Sequence, residues 1–200
     1  MYFMNPEGAM ERDFRPIASE GDYWELRVEG GEKPLRVRLT LEDVKNFGST
    51  DQKAYLVDLD QKMAYDLRKT NDEVEITTAP GGRTFRVVVG TKEYVTQHSG
   101  GVELIPTKVQ LFANYPNPFN PETIVRYTIP EGSHRVALRV YNVIGQEVEV
   151  LVDEMQEGGY YERVFRAVNL AGGTYLYRLT VTNLQTQQVQ SQVKKMMLLK

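Results

Sequence analysis

The chain has 200 residues and a formal net charge of −3, so as a whole it lacks the positive charge that attracts nucleic acid. It contains no cysteine, which excludes disulfides, thiolate nucleophiles and thiolate metal sites. Hydrophobic residues make up 41% and charged residues 26%, which is typical of a folded globular protein, and the length suffices for two small domains.

The first 21 residues show neither helical nor strand periodicity, and we predict that they form an N-terminal arm. This stretch lacks a basic start followed by a continuous apolar segment, and no run of about eighteen apolar residues occurs anywhere in the chain. The sequence therefore predicts neither a signal peptide nor a membrane span. The residues of the arm that could add to a neighbouring molecule are Phe3, Phe14 and Ile17.

Residues 22–96 are predicted to form a β-sandwich, because short β-compatible runs alternate with turn residues. The predicted strands cover residues 23–28, 35–41, 53–59, 63–67, 73–78 and 84–89, and residues 92–96 are a candidate for one more. Residues 41–47 are the one stretch with a helical alternative.

Residues 97–108 are predicted to be a linker, since residues 97–101 are the least apolar stretch in the middle of the chain. Apolar side chains follow immediately at Val102, Leu104 and Ile105. We therefore expect the linker to be short and docked, which would restrict the relative motion of the two domains.

Residues 109–200 are predicted to form a second all-β domain, an Ig-like sandwich of about seven antiparallel strands. The predicted strands cover residues 109–113, 123–129, 135–141, 147–152, 160–167, 174–183 and 187–199. Turns are predicted at residues 130–133 and 142–146, and the pair Gly158-Gly159 is predicted to open the fifth strand.

A proline-rich stretch leads into this second domain. Three prolines at every second or third position fix φ and exclude a helix, while asparagines suit turns and two aromatics provide anchors for a core. We call this stretch the lead-in motif, and its residues are Tyr115, Pro116, Asn117, Pro118, Phe119, Asn120 and Pro121.

The second domain resembles the C-terminal sorting domains of the bacterial type IX secretion system, whose Ig-like fold is shared with flagellar-hook-capping proteins. The resemblance extends over about ninety residues, in register. Besides the lead-in motif, it rests on residues 129–131 (Ile-Pro-Glu), 140–148 (Val-Tyr-Asn-Val-Ile-Gly-Gln-Glu-Val), 175–179 (Tyr-Leu-Tyr-Arg-Leu) and the terminal residues 195–200.

This resemblance implies a non-catalytic address label, without a cofactor, at the end of a protein that is secreted or held on the surface of a Gram-negative-type bacterium. Its implied partner is the outer-membrane secretion and sorting machinery, and we expect the export signal to lie on sequence outside this chain. The residues expected to be recognised are Lys194, Lys195, Met196, Met197, Leu198, Leu199 and Lys200.

Two positions depart from the family pattern. Where relatives usually carry Trp-Asp-Gly, this chain has Phe165-Arg166-Ala167, and loss of the aspartate puts any turn-bound cation in doubt. Arg163 falls where relatives are apolar, and burying an unpaired guanidinium is costly. We therefore expect Arg163 at an edge or in an ion pair.

Residues suited to catalysis or to metal binding are few. His98 and His134 lie in predicted loops and are expected to be exposed and without a role. Asp58, Asp60 and Asp66 could offer oxygen ligands to Ca²⁺, but solvated acids on a hairpin are the favoured interpretation because no EF-hand loop is present.

Two further groups of side chains have both a functional and a structural interpretation. An aromatic strip of Tyr23, Trp24, Tyr55 and Tyr65 could stack on sugars, although packing is favoured. A cluster of acids is predicted to be a solvated turn between strands, and it consists of Asp153, Glu154 and Glu157.

The leading hypothesis is a non-enzymatic C-terminal segment of a secreted or surface protein, with the second domain acting as its sorting signal. One alternative is a structural subunit that assembles into a fibre or surface layer by strand complementation through the arm. Another is an ancillary carbohydrate-binding module.

Overall fold

The structure of the protein is a computed structural model that describes residues 2–4, 10–12, 20–29, 35–40, 52–68, 73–78 and 82–199. The chain divides into two compact units, Met1–Leu104 and Ile105–Lys200. The division lies within the stretch predicted to be a linker, whose bounds stay a prediction. The all-β fold class is confirmed.

The structure describes eight strands in the first unit, and the last six match the predicted ones to within two residues at each end. They are β1 (Tyr2–Met4), β2 (Met10–Arg12), β3 (Gly21–Val28), β4 (Leu35–Thr40), β5 (Lys53–Asp58), β6 (Met63–Asp66), β7 (Glu73–Thr78) and β8 (Arg83–Gly90). Four of them form an antiparallel sheet in the order β3-β8-β5-β6, while β4 pairs with β7 and β1 pairs with β2. The two short strands β1 and β2 lie in the predicted arm, where periodicity indicated no strand.

The core of the first unit lies on one face of the four-stranded sheet. Alternation along β3 predicts Trp24, Leu26 and Val28 on a common face, and these side chains do pack together in this core. The other buried residues of the core are Ala54, Leu56, Leu67, Phe85, Val87 and Val89. Burying each large apolar side chain contributes about 1.5–3 kcal/mol to folding, which explains why Leu56 of β5 and Phe85 and Val87 of β8 face this core.

A short helix, α1 (Lys92–Gln97), replaces the strand proposed for residues 92–96, so that prediction was wrong. The Thr91 side chain caps the helix by accepting a hydrogen bond from the Tyr94 backbone N–H at 3.2 Å. Gly90 at the end of β8 has φ +155°, and a Cβ there would lie 2.5 Å from the carbonyl oxygen of Glu20. Gly90 therefore ends the strand, and the Thr91 cap starts the helix. The helix was not predicted because six residues are too few to show a helical period in the sequence.

A buried ion pair joins two strands of the first unit. Arg83 Nη2 donates to Asp58 Oδ2, and neither side chain is more than 2% exposed. The other carboxylate oxygen, Oδ1, accepts from the backbone N–H groups of Asp60 at 3.0 Å and Gln61 at 2.8 Å, which shapes the turn between β5 and β6. Both oxygens of Asp58 are thus engaged by the protein itself.

The second unit contains five strands, counted over its described residues. They are β9 (Gln110–Leu111), β10 (Glu122–Asn142), β11 (Glu147–Arg166), β12 (Gly173–Asn183) and β13 (Val189–Leu198). Their order is β11-β10-β12-β13, with β9 also pairing β10, and every pair is antiparallel. Each of the seven predicted strand segments overlaps one of these strands. The second and third predicted segments are both part of β10, and the fourth and fifth are both part of β11.

The turn predicted at residues 130–133 was wrong, because β10 continues through it as a bulge. The register shifts between Ile129 and Ser133, so that three residues of β10 lie opposite Gly158 of β11. A Cβ at position 158 would approach Glu131 Cα and the Pro130 carbonyl oxygen to 2.6 Å. The glycine therefore permits close approach within a continuous strand, and it does not open a new one.

The long hairpin formed by β10 and β11 bends so that both of its halves supply the core. Val125, Tyr127 and Ile129 from the first half of β10 are fully buried, as alternation predicts. Three residues from the second half of β10 belong to the same core cluster, and they are Val136, Leu138 and Val140. One bent ladder, extended by β12 and β13, thus encloses a single core.

Three predictions fall outside the described residues. These are the helical alternative at residues 41–47, the arm residues Phe14 and Ile17, and the terminal Lys200. Within the described part of the chain, no helix has the length and apolar character needed to cross a bilayer.

Candidate sorting-signal surface

The lead-in motif crosses the space between β9 and β10 and is fastened to the second unit at both ends. Tyr115 exchanges two backbone hydrogen bonds with Ile124 of β10, at 3.0 and 2.9 Å. The Phe119 side chain is buried and packs against Phe165 with a ring separation of 5.8 Å. The peptide bonds that precede Pro116, Pro118 and Pro121 are all cis. The motif is therefore a packed segment with Phe119 as its anchor in the core, whereas the prediction of a second anchor was wrong, because the Tyr115 side chain is exposed.

The lead-in motif also holds the end of the terminal strand, so two stretches predicted independently meet in the fold. The Phe119 N–H donates to the Met197 carbonyl oxygen at 2.9 Å, and the Leu199 N–H donates to the Phe119 carbonyl oxygen at 2.8 Å. Asn117 Oδ1 accepts from the Met197 N–H at 3.0 Å. We call these three hydrogen bonds the terminal clamp. Residues about eighty positions apart in sequence thereby form one local structure.

A buried polar network supports the turn just before the clamp, and the sequence interpretation missed it. Asn114 Nδ2 donates to Thr123 Oγ1 at 2.9 Å, and the Thr123 hydroxyl donates to the Pro116 carbonyl oxygen at 2.8 Å. The Tyr177 hydroxyl accepts from the Asn114 N–H at 2.9 Å and donates to the Phe112 carbonyl oxygen at 2.8 Å. The alternation along β10 could have predicted that Thr123 is buried, because Thr123 lies on the same face of the strand as Val125 and Tyr127.

Burial raises the pKa of Tyr177 to about 12, although the hydrogen bond from the Asn114 backbone lowers it. The Tyr127 hydroxyl donates to Gln156 Oε1 at 3.0 Å, and burial likewise raises the pKa of Tyr127 to about 12. Both phenols therefore stay neutral at ordinary pH and act as structural hydrogen-bonding groups.

The two faces of β13 differ in exposure along most of the strand. Met196 and Leu198 are buried in the core, whereas Lys195, Met197 and the following Leu199 face away from it and are exposed. Lys194 is also exposed, although its position in the alternation is that of the inward residues. Of the predicted recognition residues, the side chains in the core cannot be reached by a partner while the strand is folded. The accessible ones are Lys194, Lys195, Met197 and Leu199.

The surface around the terminal strand is cationic. Strands β12 and β13 together contain three cationic side chains, Arg178, Lys194 and Lys195, and no acidic one. The Arg178 guanidinium lies over the Tyr141 ring of β10 at 4.6 Å from its centre. Because Leu176 lies directly opposite Lys195, exposed apolar and basic side chains are neighbours on this face.

Arg163 is paired, as its departure from the family pattern predicts. Its Nη2 lies 3.1 Å from Glu154 Oε1, and its Nη1 donates to the Glu162 carbonyl oxygen at 2.9 Å. The nearby Ala167 N–H donates to the Pro121 carbonyl oxygen at 2.9 Å, so the segment that replaces Trp-Asp-Gly is joined to the lead-in motif by its backbone.

The prediction that both histidines are exposed was wrong. His134 is 2% exposed within β10, where Nδ1 is 3.0 Å from the Gly132 carbonyl oxygen and Nε2 is 3.3 Å from Asn183 Nδ2. His98 is half-buried at the end of α1, stacked on Tyr94 with a ring separation of 4.0 Å. Alternation could have placed His134 inside, because it lies two residues before a buried valine of the same strand.

The acids predicted to form a turn lie instead in the middle of β11. Asp153 pairs with Arg135 and Arg139 of β10, and the Arg135 side chain holds the pKa of Asp153 below its usual value. Among the described residues, no three of the histidine and acidic side chains come together in a way that could hold a metal ion. The prediction that the acids of the first hairpin are solvated was wrong for Asp58, which is buried with its carboxylate engaged by Arg83. Asp60 is exposed and Asp66 is half-buried.

The aromatic strip predicted as a sugar-stacking alternative is not formed. Trp24 and Tyr55 are buried, whereas Tyr23 is exposed on the other face of β3. The Arg86 guanidinium lies 4.6 Å and the His98 ring 5.6 Å from the centre of the Tyr23 ring. The exposed Tyr23 ring is therefore already in contact with the protein's own side chains.

Comparison with known proteins identifies the second unit. Residues 113–196 match the family described as "Secretion system C-terminal sorting domain". The match therefore covers Lys194, Lys195 and Met196 but not the four residues after them. No curated protein matches the chain.

Among solved structures, one similar chain is a presumed beta-galactosidase from Bacteroides fragilis, at 9% identity and a TM-score of 0.28. The alignment covers 81% of the present chain and 32% of that structure, so the chain spans about a third of its length. The role of the second unit is assigned from its family match and not from the similarity to this solved structure. Residues 113–196 are therefore a type IX secretion C-terminal sorting domain, and domains of this family mark proteins for secretion or for attachment to the cell surface.

Proposed function

We propose that the second unit is a non-catalytic sorting signal whose recognised element is the terminal segment, residues 194–200, presented to the outer-membrane secretion and sorting machinery. The observation that carries this proposal is the terminal clamp. It fixes the backbone of Met197 and Leu199 at the end of the chain, where chain ends are normally loose. A fixed end presents the same side chains to every partner that it meets.

Exposure and charge indicate how the strand would be recognised. Lys194 and Lys195 are exposed next to the apolar side chains of Met197 and Leu199, and β12 adds the cation of Arg178. A partner would recognise such a surface by shape and charge, with no reaction at the site. A sorting role by recognition needs no catalytic group.

The test is an export assay with the full 200-residue chain placed behind an exported reporter in a bacterium with a type IX system. Replacing both Lys194 and Lys195 with alanine should reduce surface display at least about tenfold, because two fully solvated cations are removed without touching the core. The matched control is Lys108→Ala, an exposed lysine in the same unit outside the terminal strand.

A truncation that removes residues 194–200 should abolish display, but it also removes the buried Met196 and Leu198. The alanine variant is therefore the decisive one, with its melting temperature compared with that of the unaltered chain. Normal display of a folded double-alanine variant would contradict the proposal.

A further inference from the structure

The outer edge of β13 leaves part of its backbone without a partner within the second unit. Met197 directs its N–H and C=O groups away from β12, toward Asn117 and Phe119. The register between β12 and β13 is unbroken, so every second residue before Met197 must direct its backbone groups the same way. Those residues are Val189, Ser191, Val193 and Lys195. Of the residues described in the second unit, none supplies a backbone hydrogen bond to them.

The open edge has defined limits. At one end the terminal clamp occupies the backbone of Met197. On the core side, Gln192 Nε2 donates to the Val109 carbonyl oxygen at 2.9 Å, and Gln192 Oε1 accepts from the Leu111 N–H at 2.8 Å. These bonds hold β9 against β13 through a side chain and leave the outward backbone groups of β13 unused. From Val189 to Lys195 the edge is about 24 Å long, enough for a strand of ordinary length.

The charge at this edge selects the chemistry of an occupant. Neither Lys194 nor Lys195 has a carboxylate partner among the described residues, and neither β12 nor β13 contains an acid. A strand with basic residues would meet like charges directly opposite, which is destabilising, whereas carboxylates would be attracted. Exposed Val189 and Val193 favour an occupant whose acids alternate with apolar residues.

We propose that the β13 edge from Val189 to Lys195 binds an extended acidic segment of another protein, which adds to the sheet as a further strand. Backbone hydrogen bonds would supply affinity and the two lysines would supply selectivity. This inference rests on the proposed function, because it specifies how a partner would bind the terminal strand.

A second copy of this chain is the less suitable occupant. The other edge strand, β11, is acidic, but its register is interrupted between Leu138 and Arg139 and again between Val140 and Tyr141 of its partner. Several of its carboxylates are also already used, since Asp153 pairs with Arg139 and Glu162 pairs with Arg126. A bulged strand with most of its charges paired is a poor partner for the open edge.

The test measures fluorescence polarisation of a labelled synthetic peptide in which glutamate alternates with valine over about eight residues, mixed with the full chain. A peptide with lysine in place of glutamate is the probe control. Val193→Pro removes one outward N–H that β12 does not use, and edge positions tolerate proline. Val193→Thr is its matched control, because it keeps the N–H and the β-branched shape.

We expect the glutamate peptide to bind at least about ten times more tightly than the lysine peptide. Val193→Pro should weaken binding at least about tenfold, while Val193→Thr should change it by less than about threefold. If Val193→Pro does not fold, the double reversal Lys194→Glu and Lys195→Glu should instead reverse the preference between the two peptides.

Equal binding of the two peptides, or binding unaffected by Val193→Pro, would overturn the inference. So would a chain that oligomerises through this edge, seen as concentration-dependent sedimentation that Val193→Pro abolishes, because the occupant would then be a second copy. Normal export of Val193→Pro after loss of peptide binding would overturn this inference and leave the sorting role intact. Normal export of the double-alanine variant would contradict the sorting role itself.

Discussion

The two units bury polar groups in chemically different ways. In the first unit the interior contains a charged pair, Asp58 and Arg83. In the second unit the buried hydroxyls of Tyr177 and Tyr127 are neutral, and they bond to the backbone and to Gln156 respectively. Breaking a buried ion pair leaves an uncompensated charge, whereas losing a neutral hydrogen bond costs less. The first unit should therefore be the more sensitive to a single polar substitution.

The largest effect is expected for Arg83→Met, which leaves the buried carboxylate of Asp58 unpaired. We expect the first unit to lose about 3–5 kcal/mol of unfolding free energy. Trp24, the one tryptophan of the chain, lies in the core of this unit, so its fluorescence during urea unfolding reports the change. The control is Arg27→Met, on the solvent-exposed part of β3, which should cost less than about 1 kcal/mol. Equal losses for the two variants would refute the contrast between the units.

The second effect is alkaline destabilisation of the second unit. Burial raises the pKa of Tyr127 and Tyr177 to about 12, above the ordinary value of 10.0. The folded state thus binds the phenolic proton more tightly than the unfolded state. Its stabilising contribution is complete below pH 10 and is lost as the pH rises to 12.

At about 1.4 kcal/mol per pKa unit, the loss is on the order of 3 kcal/mol for each tyrosine. The measurement is the urea midpoint by circular dichroism between pH 9 and pH 12. Tyr177→Phe should lower stability at pH 9 and flatten this pH dependence. If the loss of stability between pH 9 and pH 12 persists when both Tyr127 and Tyr177 are replaced by Phe, other groups cause it.

A steric substitution tests whether the second unit has a sensitive position that is not polar. Gly158→Ala would force a Cβ against the backbone of the bulge in β10, and we expect a loss of about 1–3 kcal/mol. Gly159→Ala is the matched control, since its Cβ would meet only the Tyr161 side chain at an ordinary 3.6 Å. Thermal unfolding of the two variants compares them directly. A similar loss from both would show that the bulge is free to adjust.

The smallest effect is expected at the terminal clamp. Asn117→Ala removes the acceptor of the Met197 N–H, which should lower the free energy of local opening at the clamp by about 0.5–1.5 kcal/mol. Amide hydrogen exchange at Met197 should become about tenfold faster, while the melting temperature changes little. Asn120→Ala provides the control within the same motif, because its exposed side chain does not take part in the clamp. Unchanged exchange at Met197 in Asn117→Ala would mean that the backbone bonds to Phe119 hold the strand alone.

Local patterns predicted the inward faces of the strands but not the course of the chain between them. Alternation correctly placed Val125, Tyr127 and Ile129 inside, because period two is a property of the strand itself. A proline and a glycine at residues 130–133 are also typical of a turn, and nothing local distinguishes a turn from a bulge. The distinction depends on Gly158, which lies opposite in the partner strand and far away in sequence.

The candidate site shows the same limit. The lead-in motif and the terminal residues each have a distinctive composition, so both could be singled out from the sequence. Their contact could not, because it depends on a parallel bridge between Phe119 and Leu198 that joins the two ends of the unit. His134 was missed because it was assigned to a turn, although its spacing from Val136 indicates the buried face.

The continuous course of β10 and β11 has a consequence for how this tail comes apart. Each of the two strands passes through the bulge and supplies residues to both halves of the bent sheet. Neither half can melt alone, because the other would lose the same two strands. The second unit should therefore denature in one cooperative step.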